Sequence, residues 1–236
     1  MKHKSLQKIR QAFILAFPHT IPIMTGFLFL GVTYGIYMKA LQLPFYFPTL
    51  TSITVFAGSA EFVLADLLTG MFHPLQTFAL IFMVNARHLF YGISMLDRYR
   101  GLGGKKLYMI FGLCDESFSI NCTAPVPQDV DKAWFYFFVT LLDHSYWVIG
   151  CTLGGIFGSF IRFDTAGIDF CMTAMFIVIL LEQCMEKRNR IPALIGLSVS
   201  LLSLLIFGAQ SFLIPAMIAI ILMLTAVRKP LEKKEV

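Results

Sequence analysis

Eight apolar segments separated by short polar or small-residue breaks divide the chain: residues 21–38, 47–68, 75–96, 107–120, 134–160, 170–181, 192–207 and 212–227. No Asp, Glu, Lys or Arg occurs between Gln11 and Met38 or between Ile191 and Val227. Apolar runs of this length match the hydrocarbon thickness of a bilayer when helical, so the pattern predicts an all-α, polytopic membrane bundle.

The placement of charge then orients the segments. If all eight crossed from a cytoplasmic N-terminus, the loop 97–106, with Arg98, Arg100, Lys105 and Lys106, would be external, against the positive-inside bias. The conflict disappears if 47–68 enters and leaves by the outer face and 170–181 by the inner face, leaving six spans and two broken or re-entrant segments. The basic clusters around Lys4, Arg100, Arg188 and Lys233 are then all cytoplasmic, and the acidic loop with Asp129 and Asp131 is external. Local sequence supports both exceptions. Ala57-Gly58-Ser59-Ala60 is a run of small residues that can unwind, and twelve residues as helix reach only roughly 18 Å of a core about 30 Å thick. Each follows a glycine-bearing span, Leu30-Gly31-x-x-x-Gly35 or Leu153-Gly154-x-x-x-Gly158, and ends on Glu61 or Glu182. This predicts an inverted repeat, 18–121 and 134–228, within one transmembrane domain 18–228, the arrangement that places substrate at broken helices near the midplane.

Residues 1–17 carry Leu6, Ile9, Phe13, Ile14 and Phe17 at helical spacing opposite Lys8 and Gln11. They predict an amphipathic helix on the cytoplasmic surface, interrupted at Pro18 and retained rather than cleaved. Residues 229–236 read as a cytoplasmic tail.

Composition narrows the function. The chain is 57% hydrophobic and 14% charged, against roughly a quarter charged in a soluble domain, and the polar stretch 121–132 leaves no room for a soluble catalytic module. The net charge of +5 reads as topology and anionic-lipid contact, not nucleic-acid binding. Five cysteines without a Cys-x-x-Cys pair read as small core residues. Five histidines with no pair at i and i+4 give no metal site, and no cofactor is expected. Gly58-Ser59-Ala60 lacks the nucleophile-elbow pattern, so an enzyme is not expected.

Ionisable groups inside apolar segments are costly and mark function by default. Glu61 lies within a turn of Gly58, where a desolvated carboxyl could exchange a proton with alternating sides of the membrane, whereas Asp66 lies nearer the membrane edge and reads as structural. Arg87, in Asn85-x-Arg87-His88-x-x-Tyr91-Gly92, needs a partner: a substrate carboxylate, an internal acid such as Asp115, or the cytoplasmic surface reached by snorkelling. Asp115-Glu116 places two carboxyls at depth. Asp143-His144 could form a proton relay with Tyr146 or a satisfied core pair.

Taken together, Phe56-Ala57-Gly58-Ser59-Ala60-Glu61-Phe62, the Asn85 to Gly92 motif, Asp115-Glu116-Ser117-Phe118, Tyr146-Trp147-x-x-Gly150 and Asp169-Phe170 resemble, in order and over residues 21–227, the AzlC-type branched-chain amino acid permease family. The resemblance implies a secondary transporter of the bacterial inner membrane, with both termini cytoplasmic, that exports branched-chain or related amino acids with a small AzlD-like membrane subunit. In that frame Gly58, Ser59, Glu61, Asn85 and Arg87 are the expected substrate-binding residues. Backbone N–H groups near Gly58 and Ser59 would take the amino-acid carboxylate, and Glu61 or Asp115 the ammonium. Glu61, Asp115, Glu116, Asp143 and His144 are the expected proton-coupling groups. A channel or a non-transporting scaffold is the competing class.

Overall fold

The computed structural model describes residues 2–70, 73–158, 177, 180, 181, 184, 185, 190–208 and 212–232, with only the backbone described for 2–5 and for a few further positions. The described residues are helical, without a strand. Two compact units are present, Met1–Asp169 and Phe170–Val236.

In the first unit, α1 (Lys2–Ala40) is one continuous helix that carries Pro18 and Pro22 inside it. The break expected at Pro18 does not form. At 1.5 Å per residue α1 is about 58 Å long, and its portion Leu6–Ala40 is apolar enough to cross a membrane. Its neighbour α8 (Lys132–Phe157) starts at an N-cap whose Asp131 carboxylate accepts from the Ala133 and Trp134 N–H groups at 2.9 and 3.3 Å. The two helices run parallel, in register along their length. Phe13 meets Phe138, Thr20 meets Tyr146, Phe27 meets Trp147, Gly31 meets Gly150, and Gly35 meets Gly154. Four glycines let the backbones touch: a methyl on Gly31 would lie 2.9 Å from the Cys151 nitrogen, and one on Gly154 would overlap the Val32 carbonyl.

Between α1 and α8 the chain forms two helical hairpins and one bent crossing. The segment 47–68 is α2 (Phe47–Thr54) and α3 (Ser59–Thr69), joined by an unwound stretch, Val55 to Gly58. Contacts with α1 show that it re-enters. Thr51 lies at Tyr34, Phe56 reaches down to Phe27, and Phe62 and Asp66 return to Tyr34 and Tyr37. At the reversal Gly58 has φ +37° and Phe56, without glycine's freedom, φ +44°. Such a conformation costs of order 1–3 kcal/mol and is held here by packing of the Phe56 ring on Phe27, His144 and Phe111. Thr51, Ser52 and Thr54 bond back to carbonyls of α2, so that hydroxyls supplement the backbone bonds where water is absent.

The crossing is α4 (Pro74–Val84) and α5 (Ala86–Met95), kinked at Asn85. The segment 107–120, expected to span, is instead a second hairpin, α6 (Lys105–Phe111) and α7 (Asp115–Thr123). Lys105 begins over the Trp134 ring at 4.2 Å, Tyr108 reaches His144, and the chain reverses at Gly112, which is pressed against Thr140. Then α7 runs back beside α5, pairing Asp115 with Arg87, Phe118 with Tyr91 and Cys122 with Met95. One crossing fewer than expected reverses the orientation of α8 and of the loop before it. The acidic loop 124–131 lies at the same end of the unit as the basic loop 97–106 and Ala12 of α1, packed into one core with Met95, Tyr99 and Phe135. The expectation that this loop sits on the face opposite the basic loop 97–106 is therefore corrected. The arrangement agrees with the positive-inside bias, which counts Lys and Arg and gives Asp and Glu little weight, and it brings Lys132 to the basic end. Both glycine-bearing helices enter from this face, and the elements that enter from opposite faces are the two hairpins.

The second unit contains α9 (Arg190–Phe207) and α10 (Leu213–Glu232) packed together. The first is long and apolar enough to cross a membrane, and Ile218–Val227 of the second is a shorter apolar stretch. Gly208, with φ +72°, donates its N–H to the Leu204 carbonyl at 3.0 Å and ends α9. The segment 170–181 and Glu182, on which the second re-entrant expectation rests, lie outside the described residues apart from 177, 180 and 181.

Candidate functional site

The hairpin tips meet in the interior of the first unit, where Phe56 and Phe111 approach at 6.5 Å and both flank His144 of α8. Each tip presents the start of a returning helix, α3 or α7, and thus a partial positive charge. Each returning helix carries a glutamate in its first turn, Glu61 or Glu116, five residues after the tip phenylalanine.

At the first tip Glu61 is fully buried. Its Oε2 accepts from the Trp147 indole N–H at 2.7 Å and from the Ala57 N–H at 3.1 Å, while Oε1 has no partner among the described residues. The Ser59 hydroxyl, 2% exposed, is likewise unpartnered. Aromatic rings enclose the spot: Tyr34 stacks on Trp147 at 6.2 Å, and Phe27 and Phe62 close the edges. Gly58, Ser59 and Glu61 are thus brought together as expected. Trp147, the residue that orients Glu61, was absent from the candidate residues. Its signal was the spacing of four residues from Asp143, one turn along the same helical face.

At the second tip Arg87 and Asp115 form an ion pair at 2.8 Å, each about 30% exposed, which supplies the partner that Arg87 needs in an apolar segment. Arg87 Nε, Asp115 Oδ1 and Asn85 Oδ1 are buried and have no partner among the described residues. A concavity of about 600 Å³, lined by residues of α4 and α5 including Thr77, Phe82 and Leu89, leads to Asn85 and His88. Arg87 therefore belongs with Asp115 of the second tip, not with Glu61, and Asn85 lies two residues before it, at the kink between α4 and α5.

The relay expected from Asp143 through His144 to Tyr146 is not assembled. His144 bonds the Tyr108 hydroxyl at 2.7 Å and the Ser52 carbonyl at 3.0 Å, Tyr146 bonds Thr20 at 3.1 Å, and neither oxygen of the buried Asp143 has a hydrogen-bond partner among the described residues. Adjacent residues on a helix point about 100° apart, which sends them to different neighbours. Asp66 accepts from the Tyr37 hydroxyl, a structural role. No group of three or more His, Cys, Asp or Glu suited to a metal occurs among the described residues.

The family model described as AzlC protein matches residues 22–161. The chain belongs to the AzlC family. A Bacillus subtilis (strain 168) relative named branched-chain amino acid transport protein AzlC is 60% identical over 229 residues, which are 97% of this chain and 90% of that protein. A Haemophilus influenzae membrane protein is 44% identical over 96% of this chain and 93% of its own length. A Helicobacter pylori (strain J99) membrane protein is 36% identical over 94% and 97% respectively. No solved structure matches the chain. Family membership makes this an all-α membrane protein of an amino-acid transport family, in agreement with its outward-facing Leu75, Phe78, Leu107 and Leu205.

Proposed function

We propose that this protein is the large subunit of a secondary transporter that exports branched-chain or related apolar amino acids from bacterial cells across the inner membrane. It works by proton antiport with a small AzlD-like membrane subunit. The observation that carries the reading is Glu61: a fully buried carboxylate, oriented through one oxygen and unpartnered at the other, at the tip of a re-entrant hairpin. A substrate ammonium completes Glu61 Oε1. Its carboxylate takes the Ser59 hydroxyl and the start of α3, where the helix dipole favours an anion. The rings of Phe27, Tyr34 and Phe62 suit an apolar side chain. Outward release follows when a proton replaces the ammonium at the carboxyl. The name of the Bacillus subtilis relative supports the substrate class, and the carboxylate at the tip supports the coupling.

The test is efflux of leucine, isoleucine, valine and methionine from cells preloaded with dipeptides, with and without this chain and its small partner. Saturable efflux of a subset, weakened roughly tenfold or more in Glu61→Gln, is expected, since a hydrogen bond to a charged group contributes about 1.5–3 kcal/mol. Unsaturable flux would indicate a channel, and unchanged pH dependence in Glu61→Gln would remove Glu61 from coupling.

A further inference from the structure

His144 of α8 stands where the two hairpins meet and is bonded to both. Its Nε2 lies 3.0 Å from the Ser52 carbonyl of the first hairpin and its Nδ1 lies 2.7 Å from the Tyr108 hydroxyl of the second. A carbonyl can only accept, so Nε2 carries a hydrogen, and in the neutral ring Nδ1 accepts from the Tyr108 hydroxyl. The same ring packs against both tip phenylalanines, with centroids 4.4 Å from Phe56 and 5.7 Å from Phe111.

The two bonds hold parts of the chain that local structure leaves loose. Ser52 lies in the last turn of α2, where carbonyls run out of intrahelical N–H partners, and the chain then unwinds into the stretch that carries Phe56 at φ +44°. Donation from His144 supplies one of those partners and, with the ring contact, fixes the tip from which Ser59 and Glu61 follow. Tyr108 lies in α6, only seven residues long, one turn before the reversal at Gly112. Each hairpin is anchored at both ends on its own face, so its tip is the part free to swing. The tips also touch directly: a methyl on Gly112 would lie 3.7 Å from Phe56 Cε1. Because the hairpins enter from opposite faces, the first stands between Glu61 and one side of the membrane and the second between Glu61 and the other.

We infer that His144 is a positioning residue for transport that latches both hairpin tips to α8, so that one stays closed while the other swings toward the face from which it enters. Its role in transport rests on the proposed function; the latch itself does not. When the second hairpin withdraws with Tyr108, Nε2 still donates to Ser52, and the first tip keeps Glu61 closed to its own face. When the first hairpin withdraws, Nδ1 still holds Tyr108 and the second tip stays shut. The coupling proton remains at Glu61, since His144 contributes hydrogen bonds and needs no change of charge. Without those bonds each tip loses an anchor, both open together part of the time, and substrate leaks down its gradient.

Two measurements test the latch. His144→Phe keeps a ring against Phe56 and Phe111 but makes neither hydrogen bond, and His144→Gln keeps an N–H for the Ser52 carbonyl. In membrane vesicles containing the chain and its small partner, His144→Phe moves leucine down its gradient at least as fast as wild type, while leucine accumulation driven by a pH gradient falls roughly tenfold or more, and His144→Gln lies between the two. Unchanged accumulation in His144→Phe, or downhill movement lost together with it, overturns the inference. The second readout needs no substrate. In a background free of the native cysteines, Ala60→Cys, at a position 2% exposed in the first turn of α3, reacts with a water-soluble maleimide about fivefold to a hundredfold faster when combined with His144→Phe, the ratio for two lost hydrogen bonds. Ala16→Cys, in the core around Tyr99 and Phe135, reacts at an unchanged rate. Equal rates at Ala60→Cys, or acceleration at both positions, overturn the latch. If wild-type vesicles move no leucine while the labelling behaves as stated, the proposed function fails and the latch stands.

Discussion

The parallel contact of α1 and α8 rests on backbone closeness, which makes Gly154→Ala the most direct probe of the fold. A methyl at that position overlaps the Val32 carbonyl and lies 2.9 Å from Gly35 Cα. Neither neighbour is the end of a flexible side chain, so the helices must separate by roughly 1 Å to restore van der Waals distances. Overpacking of this kind costs about 1–3 kcal/mol. The helices part along the face that carries the Phe27 and Tyr34 contacts with Trp147, so the Trp147 indole also moves away from Glu61. Gly92→Ala is the matched control, since its added methyl meets nothing within 4 Å, and Ala in a helix interior is favoured over Gly by about 1 kcal/mol. Thermal unfolding of the detergent-solubilised protein, followed by size-exclusion fluorescence, should place Gly154→Ala about 2–12 °C below wild type and Gly92→Ala at or above it. Equal midpoints for the two variants would falsify the close approach of α1 and α8.

Trp147→Phe keeps an aromatic ring but removes the pyrrole half of the indole with the donor 2.7 Å from Glu61 Oε2, so stability should fall by about 1–3 kcal/mol or more, read from the same midpoint; no change means that the indole does not hold the carboxylate. Topology is checked with a membrane-impermeant maleimide on single cysteines in a background free of the native five. Gly101→Cys and Gln128→Cys label from one side and Gln42→Cys from the other, because the loops 97–106 and 124–131 share an end of the unit and Gln42 follows α1 at the opposite end. Labelling of Gln128→Cys from the side that labels Gln42→Cys contradicts a re-entrant α6 and α7.

Much of this architecture was legible from hydrophobicity and small residues alone. Runs free of charge fix where helices lie because burial in lipid tolerates few alternatives. Ala57-Gly58-Ser59-Ala60 announced a break because no large side chain there favours helix over an unwound turn, and the two acids Glu61 and Asp66 stood out in a segment with no other charged residue. That Arg87 needs a partner was legible because an unpaired charge at that depth is costly, and the structure chose Asp115 from the three alternatives open to it. Asn85, by contrast, gave no clear sign of the kink between α4 and α5.

What the tertiary structure alone decided was direction. Hydropathy does not distinguish a segment that crosses from one that turns back, so 107–120 read as a span until contacts of Tyr108, Gly112 and Cys122 showed it returning to the face it left. That reversal moved the acidic loop to the basic end and set α8 parallel to α1. Helical phase had the same effect on the site. Neighbouring residues in sequence diverge by about 100°, so Asp143, His144 and Tyr146 went to three environments, while Glu61 of α3 and Trp147 of α8, 86 residues apart in sequence, were drawn together by the packing of the first hairpin on α8. Such proximity depends on which helices pack, and no local pattern of residues encodes it.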